Sequence, residues 1–340
     1  MNESIRTLFS PDKHLARWCA LLPLVCALTT VPGATHAIAP EISPPPTHVA
    51  DPIDELTEIM VEAREPRYVS PTRRDEIGRI WAPVMINGRG PFRLVLDTGA
   101  SHSAITALVA LALGIPMDRS PPMILRGVTG YATVPTIRVD TLSIGDLAVD
   151  QPLLPIVPDA LGGAEGILGS EGLTGKRVFI DFRHDKITIA YSKNERSGPG
   201  FVNVPFRSLR GTLVVVDAYI GTIRAKAVID TGGQVTIANL ALRDALARRN
   251  GTGRGKVDLI QGATKDIQKG ELLEDTPAIS IGSIQIHDPN VTYGDLYIFH
   301  QWKLLNEPAI LIGMDSLGLL DTLIIDYRRH ELQLRMPAAG

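Results

Sequence analysis

Only two cysteines occur in the 340 residues, and both, Cys19 and Cys26, fall near the N-terminus. The rest of the chain therefore has no disulfide, no thiol nucleophile and no cysteine-ligated metal. No long run of one charge sign is present either. Lys and Arg number 34 against 37 Asp and Glu, well interspersed, for a net charge of −3. That balance excludes nucleic acid or an anionic membrane surface as the natural partner. His48, His102, His184, His287, His300 and His330 show no His-Glu-x-x-His or other close ligand pair, so no zinc or other metal site is expected. No Gly-x-Ser-x-Gly elbow exists, and Ser101 and His102 are sequence neighbours, which argues against a serine hydrolase. Gly251-Thr252-Gly253-Arg254-Gly255-Lys256 lacks the spacing of a phosphate loop and reads as a flexible insertion. No cofactor is implied.

What is present reads as a globular chain, 44% hydrophobic and 21% charged, long enough for two domains. Arg6, Lys13 and Arg17 precede an apolar stretch from Trp18 to Val31, and small residues follow near Ala37. This is the order of a secretory signal over residues 1–37, and export to a bacterial periplasm is the expectation. The alternative is an uncleaved membrane anchor. Residues 38–75, rich in proline and acidic side chains, read as a tether or pro-segment, with room for a short helix between Pro52 and Pro66.

The remainder repeats itself, over 76–195 and again over 201–337, with a linker at 196–200. Each copy starts with a hairpin: Trp81 to Ile86, a turn Asn87-Gly88-Arg89-Gly90, and Phe92 to Leu96; then Leu213 to Ile220, Gly221-Thr222, and Ile223 to Ile229. The second strand of each runs into a similar loop, Asp97-Thr98-Gly99-Ala100-Ser101 and Asp230-Thr231-Gly232-Gly233-Gln234. A helix follows, clearest where Asn239 caps Leu240 to Arg249 and Gly251 lies beyond. Further hairpins are expected around Gly127-Val128-Thr129-Gly130-Tyr131 and Gly262-Ala263-Thr264-Lys265. Next come Ile167-Leu168-Gly169 and Leu311-Ile312-Gly313. Closing hairpins follow, their aspartates Asp181 and Asp326 set 12 and 13 residues beyond the glycines.

One Asp-Thr-Gly is an ordinary turn sequence. Two at equivalent places, each after a strongly apolar strand, put two carboxyls at the ends of buried strands. Burying a lone carboxylate is costly, so the simplest arrangement has them face each other.

These residues resemble the retropepsin-like aspartic peptidases, specifically exported bacterial forms with two retropepsin-like units fused in one chain. The resemblance covers about residues 77 to 337. It implies a mostly β fold of two acid-protease lobes related by a pseudo-twofold axis, with the active site between them. It also implies that Asp97 and Asp230 activate a water to hydrolyse a peptide bond in a peptide or protein substrate. Thr98 and Thr231 would cross-link the loops, Gly99 and Gly232 would permit close approach, and Ala100, Ser101 and Gly233 would complete the loop support. Ile167, Leu168, Gly169, Leu311, Ile312 and Gly313 would pack beneath. Gly127, Thr129, Gly130, Tyr131, Gly262 and Ala263 would belong to flaps that touch substrate. The chain would act as a monomeric pseudo-dimer. Gly233-Gln234 departs from Ala100-Ser101, which leaves an alternative: a peptide-binding scaffold with the same fold and little turnover. Neither loop has a hydroxyl at position 100 or 233, so the dyad should hold its proton to mildly acidic pH.

Overall fold

The computed structural model describes residues 68–71 and 79–337, other than 118, 145, 146, 159–161, 252, 254, 265 and 274. The expected signal over 1–37, the helix between Pro52 and Pro66 and the turn residue Lys265 lie outside the described residues. Strands dominate; the longest helix, Leu240–Asn250, has 11 residues. It starts where Asn239 accepts a hydrogen bond from the Leu242 N–H (2.9 Å), satisfying a donor the helix cannot pair internally.

An eight-stranded sheet occupies the first half of the chain. At its centre the hairpin Trp81–Ile86 and Arg89–Leu96 is antiparallel, and Gly166–Leu168 lies parallel to the latter. Ala104–Thr106 and Leu153–Val157 continue the sheet on one side; Thr141–Ile144 and Leu147–Asp150 extend it on the other. In the second half, Leu213–Ile220 and Ile223–Ile229 form the hairpin, with Ala309–Ile312 parallel to the latter. Thr236–Ala238 and Val291–Tyr293 follow on one side, Ile279–Ile281 and Ile284–Ile286 on the other. Eight strands of this ten-stranded second sheet repeat the order and the parallel or antiparallel pairings of the first; Gly255–Gln261 and Arg207–Leu209 are additional.

Alternation sets the faces. In Trp81–Ile86 every second residue (Ala82, Val84, Ile86) is buried in the main core, as a strand of period two requires. The first turn is shorter than expected. Asn87 and Gly88 alone make it, both with positive φ (51° and 70°), the geometry of a two-residue type I′ hairpin turn. Arg89 and Gly90 belong to the strand. The register shifts between Val84 and Ile86, so the extra residues form a bulge.

A third, six-stranded sheet joins the two halves. The closing hairpins Lys176–Asp181 with Lys186–Tyr191, and Thr322–Asp326 with Glu331–Arg335, lie side by side, Val178 opposite Ile325 and Ile180 opposite Leu323. Its outer strands are Tyr68–Pro71 against Lys186–Tyr191 and Val202–Pro205 against Glu331–Arg335. Tyr68–Pro71, within the segment 38–75 read as a tether or pro-segment, is an edge strand of this sheet. The open row of N–H and C=O groups on Lys186–Tyr191 supplies the pairing.

Candidate active site

Each Asp-Thr-Gly loop hangs from two strands. The Asp97 N–H donates to the Leu168 carbonyl (2.9 Å), and the Asp230 N–H to that of Ile312 (3.1 Å). The apolar-apolar-glycine segments thus support the loops, and their two apolar residues divide between faces. Leu168 and Ile312 enter the main core with Leu94, Leu96 and Ile229. Ile167 and Leu311 pair with Val95 and Val228 on the opposite face, the one shared with Asp97 and Asp230 two residues on.

The two loops interlock. The Thr98 hydroxyl donates to the Ile229 carbonyl (2.8 Å) and accepts from the Thr231 N–H (3.1 Å). Thr231 reciprocates, donating to the Leu96 carbonyl (2.7 Å) and accepting from the Thr98 N–H (3.2 Å). Both threonines are fully buried. Each hydroxyl therefore satisfies one donor and one acceptor of the other loop, groups that would be costly to bury unpaired.

The interlock brings the carboxyls face to face. A Cβ on Gly99 would lie 2.7 Å from the Asp230 Cγ, and one on Gly232 would collide with the Asp97 carboxyl. Glycine is required here by close approach rather than by backbone angle. Within each loop the inner oxygen accepts two N–H groups: Asp97 Oδ1 from Gly99 (2.8 Å) and Ala100 (2.9 Å), Asp230 Oδ1 from Gly232 (2.9 Å) and Gly233 (3.0 Å).

Burial pushes the Asp97 carboxyl well above the ordinary aspartate range. The neighbouring Asp230 charge and their shared hydrogen bond push the same way, against the Ala100 and Gly99 N–H groups. Burial raises Asp230 too. There it is opposed by the Gly232 N–H, the hydrogen bond from Asp97, the Gly233 N–H and the Arg79 charge. Both carboxyls are thus raised, and the pair together holds a proton above the ordinary aspartate range.

Side chains that sequence reasoning missed complete the support. The Ser103 hydroxyl accepts from the Gly169 N–H (3.0 Å), and the Ser103 N–H donates to Glu171 (2.5 Å). In the second half the Thr236 hydroxyl accepts from Gly313 (3.2 Å), and its N–H donates to Asp315 (2.9 Å). A hydroxyl six residues after each aspartate and an acid two after each glycine were the available signals. Arg79, buried beside Asp230, lies outside both motifs.

Of the other loop residues, Ala100 lends its carbonyl to Ser170 (2.9 Å from N, 2.8 Å from Oγ), and the Gly233 carbonyl accepts from the Met314 N–H (2.8 Å). Gln234 is exposed and offers its carbonyl to Asp315 (3.0 Å). Ser101 is exposed, bonded to His102 Nδ1 (2.9 Å), and does not join the carboxyls.

The hairpin Met123–Arg126 with Tyr131–Val134 reaches across both faces. Its Leu125 packs with Val95 and Ile167, and Val128 in its turn packs with Val228 and Leu311. The turn residues Gly127 to Gly130 are closed by a Gly127 N–H to Gly130 carbonyl bond (2.8 Å). Thr129, buried, accepts from the Gly262 N–H (3.1 Å), so this turn meets that of the second hairpin, Gly255–Gln261 with Ile267–Leu273. Ala263 lies beside Gly127 there. Tyr131 is 62% exposed, its ring 5.6 Å from that of Tyr297. Tyr297 opens a helix, Tyr297–Trp302, that sequence reasoning did not foresee; its Ile298 N–H donates to the Val128 carbonyl (3.1 Å).

No curated protein matches the chain. Residues 82–171, which contain the first hairpin except Trp81, with Asp97 and Gly169, match the family model described as aspartyl protease.

Proposed function

We propose that this protein is an aspartic endopeptidase in which two retropepsin-like lobes, related by a pseudo-twofold axis, each contribute one carboxyl. The observation that carries the reading is the interlock of the two Asp-Thr-Gly loops, which presses the half-buried Asp97 and the buried Asp230 carboxyls together. The identical order of strand pairings in the two halves supports the duplicated, two-lobed arrangement.

Two carboxyls in contact cannot both ionise readily, the principle behind aspartic-protease dyads in general. The ionised member of the pair takes a proton from a water lying between them, while the protonated member passes its proton to the scissile carbonyl oxygen. The water oxygen bonds to the carbonyl carbon, giving a tetrahedral diol. The newly protonated carboxyl then gives its proton to the amide nitrogen, the C–N bond breaks, and a diol hydroxyl returns its proton to the other carboxylate as the C=O re-forms, so the dyad ends with the single proton it began with. Neither a covalent intermediate nor a metal is needed. The hairpin over the two faces closes on an extended peptide and excludes water. The same reading takes residues 1–37 as an export signal, the periplasm as destination and the monomer as the working unit.

Digestion of a proteome-derived peptide library across a pH series tests this. Cleavage should be maximal at mildly acidic pH, above the ordinary aspartate value of 3.8 because both carboxyls are raised, and should fall toward neutrality as the shared proton is lost. A statine-type transition-state mimic should block it. Activity confined to strongly acid pH, or indifferent to the mimic, contradicts the mechanism. Binding of peptides without cleavage at any pH would favour the scaffold reading.

A further inference from the structure

The carboxylate face beside Asp97 contains a polar group with nothing to bond. Trp81 lies opposite Val95 in the antiparallel hairpin, so its side chain shares the face of Val95 and of Asp97 two residues further on. The indole packs on the cluster formed by Val95 and Ile167, under Leu125 of the overlying hairpin, and the Arg93 guanidinium stacks on its ring at 5.0 Å. Its Nε1–H is buried, yet it has no acceptor among the described residues. Indole N–H groups that leave water normally find a partner.

The second half has no counterpart. The residue opposite Val228 is Val215, which has no polar atom to offer. The face around it is filled by the chain itself: Leu296, Phe299 and Trp302, on and before the helix Tyr297–Trp302, pack there and are buried. One side of the dyad thus presents an unused donor over an apolar floor, and the other is closed.

We propose that the Trp81 indole N–H binds a backbone carbonyl oxygen of the substrate on the Asp97 side, while Val95 and Ile167 receive an adjacent apolar side chain. Trp81 is then a specificity residue that fixes which way a peptide lies across the dyad. The inference rests on the peptidase reading for its substrate class. Its access route is the hairpin carrying Leu125, whose two strands pair only with each other and whose turn is bonded elsewhere at Val128 and Thr129.

Trp81→Phe keeps an aromatic ring on the cluster and removes the donor, together with part of the indole's volume. On a library peptide that the wild type cleaves, KM should rise about tenfold with kcat within about threefold, because the bond forms with substrate and transition state alike. A second readout needs no variant to be active. In a 15N-labelled full chain, which has Trp18, Trp81 and Trp302, the indole resonance missing from the Trp81→Phe spectrum should move downfield when a statine-containing peptide is added. Wild-type cleavage with KM unchanged in Trp81→Phe, and an indole resonance that stays put while the statine peptide binds, overturns the inference and leaves the peptidase reading standing. An indole that shifts in a protein without turnover supports the inference and removes the peptidase reading. A chain that neither cleaves nor binds removes both.

Discussion

At the scale of single residues, the facing pair Asp97 and Asp230 carries the proposed chemistry and works against stability. Unfolded, Asp97 loses its proton near 3.8; folded, burial and then Asp230 hold that proton to higher pH. Between those values the folded state binds more protons than the unfolded one, so stability falls as pH rises through the window and stays lower above it. Asp97→Asn cannot ionise and keeps a donor toward Asp230. Its melting temperature should exceed that of the wild type by about 3–6 °C at pH 7, and the gap should close below pH 3.8. An unchanged or lower value at pH 7 in a thermal melt would mean the carboxyl is not held protonated. The same residues were the most legible part of the sequence. Two Asp-Thr-Gly loops after apolar strands are a local signal, and the facing of the carboxyls follows from the cost of burying either alone. Arg79 was not legible, because its nearness to Asp230 comes from the other half of the chain.

At the scale of elements, the two hairpins near the dyad differ in anchorage. Ile267–Leu273 is one continuous strand whose end pairs with Val291–Tyr293. Its counterpart is broken by Pro135 into Tyr131–Val134 and Thr136–Arg138, and only the latter pairs with the sheet. Pro135 has no N–H to extend a ladder. The base is held by the Thr136 hydroxyl donating to the Pro121 carbonyl (2.8 Å), so residues 123–134 form an arm hinged between prolines. Hydrogen exchange should be at least about tenfold faster in 123–134 than in 267–273, which stays tied to its sheet. Equal protection would contradict a single moving lid. Both hairpins were visible in the sequence from their glycine-bearing turns. The asymmetry was not, because it depends on which neighbouring strand each arm reaches. The helix Tyr297–Trp302 was missed for a related reason: at six residues it has too few turns to display a period.

At the scale of the whole molecule, the halves share more than the dyad. The six-stranded sheet draws three strands from each, and Arg196 in the connecting segment pairs with the buried Glu331 (2.6 Å). The closing hairpins themselves could be read from their alternation and turns. Their pairing with one another could not, since Val178 meets Ile325 across 147 positions of chain with no local signal. Nor could Tyr68–Pro71, four residues whose strand character comes from the edge they join. The sheet holds the halves in the register that lets Thr98 and Thr231 interlock, so each carboxyl depends on the other half for its position. The most direct test is therefore cleavage of one library peptide by Asp97→Asn and by Asp230→Asn, each folded by thermal melt. Both should lose about 10²–10⁴-fold in kcat/KM, since a single carboxyl cannot both take and hold a proton. Survival of near wild-type cleavage in either variant would contradict the shared site.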